Sequence, residues 1–387
     1  MFRNILVLNS GSSSLKYRLM QMGPVSKVLA GGLIERIGEV SAARVCANHR
    51  EAIDDMIRGL EAGGHLGEEG VSALGHRVVH GGEAFSSAAV IDDSVVAAIR
   101  DAIPLAPLHN PPNLEGIEAC RERWPDVPQV AVFDTALHQT LQPEAYRYAI
   151  PDQWYREHHV RRYGFHGTSF AHVIRRASAH FQCSRESLNL IALHLGNGAS
   201  ACAIRAGQSI ETSMGMTPLA GLMMGTRCGD LDPGVVFHLM RECGLTPEQA
   251  SVSLNRESGL KGIAGSNDMR DVLAGAAAGN AQACLAIAMY THRLRLYVGA
   301  YMALLDRLDA LVFTGGVGEH AAAIRAGVCK PLGHLGLHLD EAANAGCANG
   351  IMELQTPGSR VRILVIPSDE ETEIALQTRD ALWGHGD

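Results

Sequence analysis

No apolar run in the chain reaches the roughly 18 residues needed to cross a bilayer. The opening apolar run is cut short by Asn9 and the serines behind it, so no signal peptide is expected either. Lysine and arginine never gather into a block, and the net charge is −8, so a nucleic-acid partner has little electrostatic support. The nine cysteines form no C-x-x-C pair and are odd in number. In a chain of this size that pattern reads as reduced thiols in a cytoplasm; it excludes a disulfide framework or a zinc site. A Walker-type phosphate loop, G-x-x-x-x-G-K-[ST], is also missing. Low-complexity segments and long linkers are absent as well.

What is present is length and glycine. A chain of 387 residues is too long for one comfortable core, so two domains are expected. The 42 glycines point to many tight turns and close backbone approaches. "NILVLN", "LKYRLM" and "KVLAGGLIERIG" read as strands at the start, and "AIDDMIRGLEA" as an amphipathic helix. "VSALGHRVVHGG" reads as a strand ending in a glycine turn. "DSVVAAIRDAI" is a helix that the proline-rich "PLAPLHNPPN" stops. "PQVAVFDTALH" is a buried strand ending on Asp134, and "NAQACLAIAMYTHRLRLYVGAYMALLDRL" is a long helix.

Two stretches share a form. "LVLNSGSSS" and "IALHLGNGA" each run from an apolar strand through a polar residue, a spacer and a glycine into small residues. Gly11 aligns with Gly196 and Asn9 with His194, and another strand-like run follows each, which suggests an internal duplication. A third glycine turn, "ALVFTGGVGEH", also follows a buried strand. Turns of this kind expose backbone N–H groups that can hold phosphates. One such loop is most simply a plain turn; three in one chain favour a nucleotide held between two halves.

Charges able to handle a phosphoryl group sit among glycines: Arg77 in "GHRVVHGG", His166 in "RRYGFHGTS" and Arg227 in "MGTRCGDLDPG". Asp134 ends a strand, where the sites of α/β proteins lie. Glu370 and Glu371 follow a buried strand at a helix start. For Glu371 the expectation is no more than a favourable first helical turn, and "DLDPG" reads equally well as a helix start.

Taken together these segments resemble the acetate kinase (acetokinase) family. "VLNSGSSSLK", "GHRVVHGG", "PLAPLHNPPN", "VFDTALH", "YGFHGTS", "LIALHLGNGAS", "TSMGMTPLAGLMMGTRCGDLDPG", "SNDMRDV", "FTGGVGEH" and "VIPSDEE" occur in that family's order and cover essentially the whole chain. The family belongs with sugar kinases, Hsp70 and actin. The resemblance therefore implies an α/β fold of two duplicated actin-like, ribonuclease H-like domains with a central interdomain cleft. The expected domains are 1–150 plus 368–387 for the acyl substrate and phosphate, and 151–367 for the nucleotide.

The resemblance further implies roles by position. Asp134, His166 and Arg227 are the expected catalytic residues, and Arg77 binds the acyl carboxylate, with Val79, Leu108, Phe165 and Pro218 around the small acid. Ser12, Ser14 and Lys16, the segment His194, Leu195, Gly196, Asn197 and Gly198, then Asp268, Met269 and Arg270, and Gly315, Gly316, Val317, Gly318 and Glu319 are the expected ATP-binding positions. Asn9 and Glu370 are expected to serve Mg²⁺, or Mn²⁺ in its place. The implied activity is reversible in-line phosphoryl transfer from ATP to acetate, giving acetyl phosphate and ADP. The enzyme would be a cytoplasmic homodimer with no nucleic-acid or membrane partner. One departure is visible: Ser-Asp-Glu-Glu stands where members commonly have Thr-Asn-Glu-Glu. The acceptor is a carboxylate, ionised at pH 7, so Asp134 is expected to position cations, not to remove a proton. A propionate kinase is the nearest rival; an actin- or Hsp70-like ATPase is a remote one, since it has no use for a carboxylate-binding arginine.

Overall fold

A computed structural model of the chain describes residues 3–11, 13–23, 25–38, 46–66, 70–346 and 350–384. It divides into two units: Met1–Gln139 with Gly167–Ser169 and Asp369–Asp387, and Thr140–His166 with Phe170–Ser368.

The first unit is built on a six-stranded sheet. Its strands are β1 (Arg3–Ser10), β2 (Ser14–Met22), β3 (Lys27–Glu35), β4 (Ala73–Val78), β5 (Ala89–Val90) and β6 (Gln129–Phe133), ordered β3-β2-β1-β4-β6-β5. β1, β2 and β3 form an antiparallel meander, while β1, β4 and β6 run parallel. Side chains alternate across a strand, and β1 uses both faces. Leu6 and Leu8 pack with Ile53, Met56 and Leu60 of the helix His49–Ala62 and with Cys120 of the helix Asn110–Arg123. Ile5 and Val7 face the other way, onto Ile374 and Ala375 of the helix Glu370–Trp383. A sheet covered on both faces explains why "ILVL" and "VAVF" read as unbroken apolar runs. The covering helix lies close: a Cβ on Gly75 of β4 would stand 2.4 Å from Thr378 Oγ1 and 2.9 Å from Ile374 Cγ2.

The second unit repeats the plan. β7 (Leu190–Leu195), β8 (Ala199–Arg205), β9 (Gln208–Thr212), β10 (Ala310–Thr314), β11 (Met352–Glu353) and β12 (Arg362–Val365) are ordered β11-β12-β10-β7-β8-β9. Here too an antiparallel meander of three strands leads into three parallel ones, β7, β10 and β12, with a short antiparallel strand at the far edge. The correspondence with the first sheet is strand for strand. The duplication read from two short motifs therefore extends over both sheets. Three residues separate the first two strands of each copy, between Ser10 and Ser14 and between Leu195 and Ala199. The long helix Ala281–Leu304 starts on Asn280, whose side chain accepts from Ala283 N, and packs over β7 and β8. Among the described residues no helix is long and apolar enough to cross a membrane.

Two local expectations change. The proline-rich stretch does not merely stop a helix: it also begins one, at Asn110, with Pro111 and Pro112 in the first turn. Proline is at home there, because the first helical N–H groups have no partner to lose. The third glycine turn is likewise the start of a helix, Gly315–His320, directly on the end of β10. Gly315 has φ +77°, and a Cβ there would meet Leu195 O at 2.8 Å, so a side chain would both strain the backbone and collide with β7.

Candidate active site

In the first unit the parallel strands β1, β4 and β6 bring three polar side chains together at their C-terminal ends. Asn9 is the penultimate residue of β1, Arg77 is the penultimate residue of β4, and Asp134 follows β6. The Arg77 guanidinium donates through Nε to both Asp134 carboxylate oxygens at 3.2 Å and through Nη2 to Oδ2 at 2.5 Å. Its Nη1 donates to Asn9 Oδ1 at 3.1 Å. Asp134 is 1% exposed and Arg77 19%. The same carboxylate accepts from Thr168 Oγ1 at 3.1 Å, and the Asp134 carbonyl accepts from Gly167 N at 2.9 Å. Burial works against the Arg77 charge, but Asp134, Glu370 and Glu371 outweigh it and raise the pKa above the ordinary arginine value. Arg77 is therefore a permanent cation.

Glu370 opens the C-terminal helix beside this pair. Burial pushes its carboxyl up to about 7; Arg77 opposes the shift, while Asp134 and Glu371 add to it. Glu371 is more than a helix-start residue. Its side chain is 3% exposed, with Lys16 Nζ at 2.7 Å and Arg18 Nη2 at 3.4 Å. Arg18 also holds Asp369 at 2.5 Å. Lys16 thus stands on β2 opposite Asn9 with its ammonium on a carboxylate. No sequence signal links residues this far apart. Ser14 begins β2 and its carbonyl accepts from Gly11 N at 2.7 Å, while Ser12 lies outside the described residues. Of the expected acyl pocket, Val79 is buried and Leu108 is exposed, both in this unit.

In the second unit His166 and Arg227 come together beside the turn after β7. His166 takes a left-handed backbone (φ +59°) at the start of the helix Gly167–Phe181. Its Nδ1 hydrogen-bonds Ser200 Oγ at 2.8 Å, and its ring lies 4.3 Å from that of His194 between centroids. A Cβ on Gly198 would stand 3.5 Å from both His166 Nε2 and Arg227 Nη1, so any side chain at 198 would begin between the two. Arg227 donates to the Pro218 carbonyl at 3.2 Å, and burial lowers its pKa from the ordinary value. The second unit thus presents a cation that no carboxylate shift offsets, the reverse of the Arg77 pair.

The other expected positions divide. Asn197 binds its own surroundings: its carbonyl accepts from Gly225 N at 2.9 Å and its Oδ1 from Asn267 Nδ2 at 3.2 Å. A Cβ on Gly225 would fall 2.1 Å from that oxygen, so any side chain there would displace the Asn197 amide. His194 and Leu195 end β7, and Gly196 N donates to Gly198 O at 3.0 Å. Asp268 caps the helix Met269–Ala277 and pairs with the exposed Arg270 at 2.5 Å, which draws the Asp268 carboxyl down to about 2. Gly316 is exposed and Gly318 buried, with Val317 between them. Glu319 accepts from Ser368 N and Oγ at 2.9 and 2.8 Å. Phe165 is buried and Pro218 half-buried. Missed from sequence were Thr168 and Ser200, and also Asp230, which accepts from Gly221 N at 2.8 Å and from Tyr297 Oη at 2.7 Å and so closes the loop bearing Arg227. Ordinary serines, threonines and helix-start aspartates carry no mark of such roles.

The Glu370 shift makes stability pH-dependent. The unfolded chain releases this proton near the ordinary glutamate value, the folded chain only near 7. The folded state then holds more protons in that window, so its stability falls as pH rises from about 4.5 towards 7. Glu370→Gln should remove this component. Denaturant titrations at pH 5 and pH 7 should show the wild type losing ground to the variant with rising pH. A difference that does not vary with pH would contradict the shift.

The acetokinase family model matches residues 4–376. An acetate kinase of Syntrophobacter fumaroxidans is 49% identical, over 97% of this chain and 96% of its own length. An acetate kinase of Micrococcus luteus is 50% identical, over 98% of this chain and all of its own. Among solved structures, the acetate kinase of Porphyromonas gingivalis superposes with TM-score 0.92 at 41% identity, and a propionate kinase of Francisella tularensis with TM-score 0.92 at 40% identity. Each covers 98% of this chain and 100% of the solved one. With two sheets of one topology and matches along almost its full length, the chain belongs to the acetokinase family and is a phosphotransferase.

Proposed function

We propose that the protein transfers the γ-phosphoryl group of ATP to acetate, reversibly and in line, yielding acetyl phosphate and ADP. The observation that carries this reading is the half-engaged fork of Arg77. A guanidinium has five N–H donors; Nε, Nη2 and Nη1 each already spend one on Asp134 or Asn9. One N–H on each terminal nitrogen is left for a second carboxylate, on a side chain that keeps 19% exposure. A planar fork suits a carboxylate acceptor.

The acceptor is ionised at neutral pH, so the residues must reconcile two anions and need not remove a proton. Arg77 holds the acid, Asp134 holds Arg77, and Val79, Leu108, Phe165 and Pro218 limit its size. Arg227 and His166 supply charge and a hydrogen bond to the phosphoryl oxygens, a role in which preorganised donors act most strongly. An anion arriving at Arg227 would offset the effect of the burial that lowers its pKa. Nucleotide contacts are assigned to Lys16, Ser12 and Ser14, to His194–Gly198, to Asp268–Arg270 and to Gly315–Glu319. The residues Met1–Gln139 and the C-terminal helix would then serve the acid and the transferring phosphate, and the second unit the rest of the nucleotide.

Mg²⁺ fits the donors at hand. Asn9 Oδ1 and the Glu370 carboxylate are hard oxygen ligands, and among the described residues no three His, Cys, Asp or Glu side chains converge in a cluster. That suits an ion which keeps several waters and takes one or two protein oxygens with the substrate phosphates; Mn²⁺ would use the same donors. When bound, the ion would neutralise charge on the phosphate oxygens.

Propionate is the second reading, supported by the propionate kinase at TM-score 0.92. One methylene is worth only about 1–3 kcal/mol in such pockets, so propionate should be at least a secondary substrate. We also infer a cytoplasmic homodimer. The long helix of the second unit exposes Leu285, Met289 and Leu296, and the helix Pro233–Glu242 exposes Phe237, apolar side chains that a partner copy would cover. Sedimentation should give twice the chain mass at micromolar concentration; a stable monomer would refute the dimer.

The two arginines should separate kinetically, with acyl phosphate trapped as hydroxamate. Arg77→Ala should raise the acetate KM strongly, and Arg77→Lys should recover only part. Arg227→Ala should lower kcat by roughly 10³-fold with smaller changes in KM. If Arg77→Ala leaves the acetate KM near wild type while kcat collapses, acceptor binding belongs elsewhere. If the wild type forms no hydroxamate from acetate or propionate, the reaction itself is misassigned.

A further inference from the structure

Asn113 is a buried amide that joins two strand ends. Its side chain is in the first turn of the helix Asn110–Arg123 and the residue is 2% exposed. Its Oδ1 accepts from Val79 N at 3.0 Å and its Nδ2 donates to the Ser10 carbonyl at 2.7 Å. Val79 directly follows β4, and Ser10 is the last residue of β1, before the glycine–serine turn. The parallel pairing of β1 with β4 ends at Leu8↔His76. Beyond it the two strands have no backbone partner in each other, and the Asn113 amide takes the place of a rung.

The surroundings make that rung stiff. Pro111 and Pro112 fix the backbone just before it. Asn110, fully buried, ties the next residue in the same manner: its Oδ1 accepts from His80 N at 3.1 Å and its Nδ2 donates to the His80 carbonyl at 3.0 Å. Three residues on, a Cβ at Gly116 would stand 3.0 Å from Ser10 Oγ, so the helix lies directly against the end of β1. The amide offers an acceptor for Val79 and a donor for Ser10 on two separate atoms of one side chain, so it can span the two strands. A backbone group left unpaired in a buried place is costly, so losing the amide would oblige Val79 to move.

We infer that Asn113 is a positioning residue that sets acyl-chain selectivity: it fixes Val79 at the depth required for a two-carbon acid and ties that depth to Ser10 at the phosphate turn. The inference rests on the reading that Val79 borders the acyl chain. Asn113 touches no substrate itself and acts through Val79.

The test measures kcat/KM for acetate and for propionate, with the melting temperature, on the full-length wild type, Val79→Ala, Asn113→Leu and the double variant. Val79→Ala should shift the ratio several-fold towards propionate. Asn113→Leu, branched alike but unable to hydrogen-bond, should shift it the same way by about threefold or more, on the scale of a small change in pocket size. In the double variant Asn113→Leu should add nothing to the shift from Val79→Ala. If Asn113→Leu lowers the melting temperature or both kcat/KM values while the ratio stays at wild type, its role is structural only and the inference fails. If Val79→Ala leaves the ratio unmoved, the pocket reading fails and takes the inference with it. Should Asn113→Leu not fold, Asn113→Ser, too short to span both strands, is read by the same criteria.

Discussion

Everything in the first unit's site depends on one ion pair, Arg77 with Asp134. A carboxylate that is 1% exposed would be costly to bury alone. It is sustained by a guanidinium, a threonine hydroxyl and its place at the end of β6. In return it fixes the guanidinium plane and uses up one edge of the fork. Breaking such a pair by removing one partner is far more damaging than the net worth of the pair implies, because the other charge stays buried. Asp134 therefore accounts for the orientation of Arg77 through the ion pair itself. The Glu370 carboxyl, held up to about 7, belongs to the same field: it cannot ionise easily beside a second anion unless further positive charge arrives.

The two copies of the fold differ in the electrostatics of their cations. Their sheets share a strand order, and in each the first two strands are separated by three residues. In the first copy the cations are matched, Arg77 by Asp134 and Lys16 by Glu371. In the second copy Arg227 meets a carbonyl and has its pKa lowered by burial. A matched cation can hold a substrate throughout the reaction without a large change in its own environment. An uncompensated one gains most when negative charge develops next to it, which suits a phosphoryl group in flight. Duplication supplied one scaffold twice, and charge compensation distinguishes the two copies.

Much of this was legible in the sequence. The apolar runs before Asn9 and Asp134 marked strands, Asp134 stood at a strand end, where parallel sheets place their chemistry, and Arg77 stood out by its place among glycines near a turn. The pairing of Gly11 with Gly196 revealed the duplication, which the strand orders extend. What stayed hidden has a common cause. Glu371 looked like one of three acids at a helix start, yet it is buried against Lys16, 355 positions earlier. Asn113 looked like part of a proline-rich break, yet it bridges two strands. Both roles arise from contacts between segments far apart in the chain, and neither residue type is unusual in its local setting. The proline stretch misled for a different reason: proline both ends one helix and begins the next, and the pattern alone does not say which.

The claim that Asp134 orients Arg77 and takes no proton is tested most directly by the pH–rate profile of Asp134→Asn. The variant keeps a hydrogen-bonding side chain of the same size but lacks the charge and cannot act as a base. If Asp134 orients Arg77, kcat/KM for acetate should drop by at least about a hundredfold, a scale set by misplacement of reacting groups. The acid limb of the profile should stay where the wild type has it. If that limb instead disappears, with the variant's rate flat through acidic pH, its titration belonged to Asp134 itself, and the residue is a general base after all.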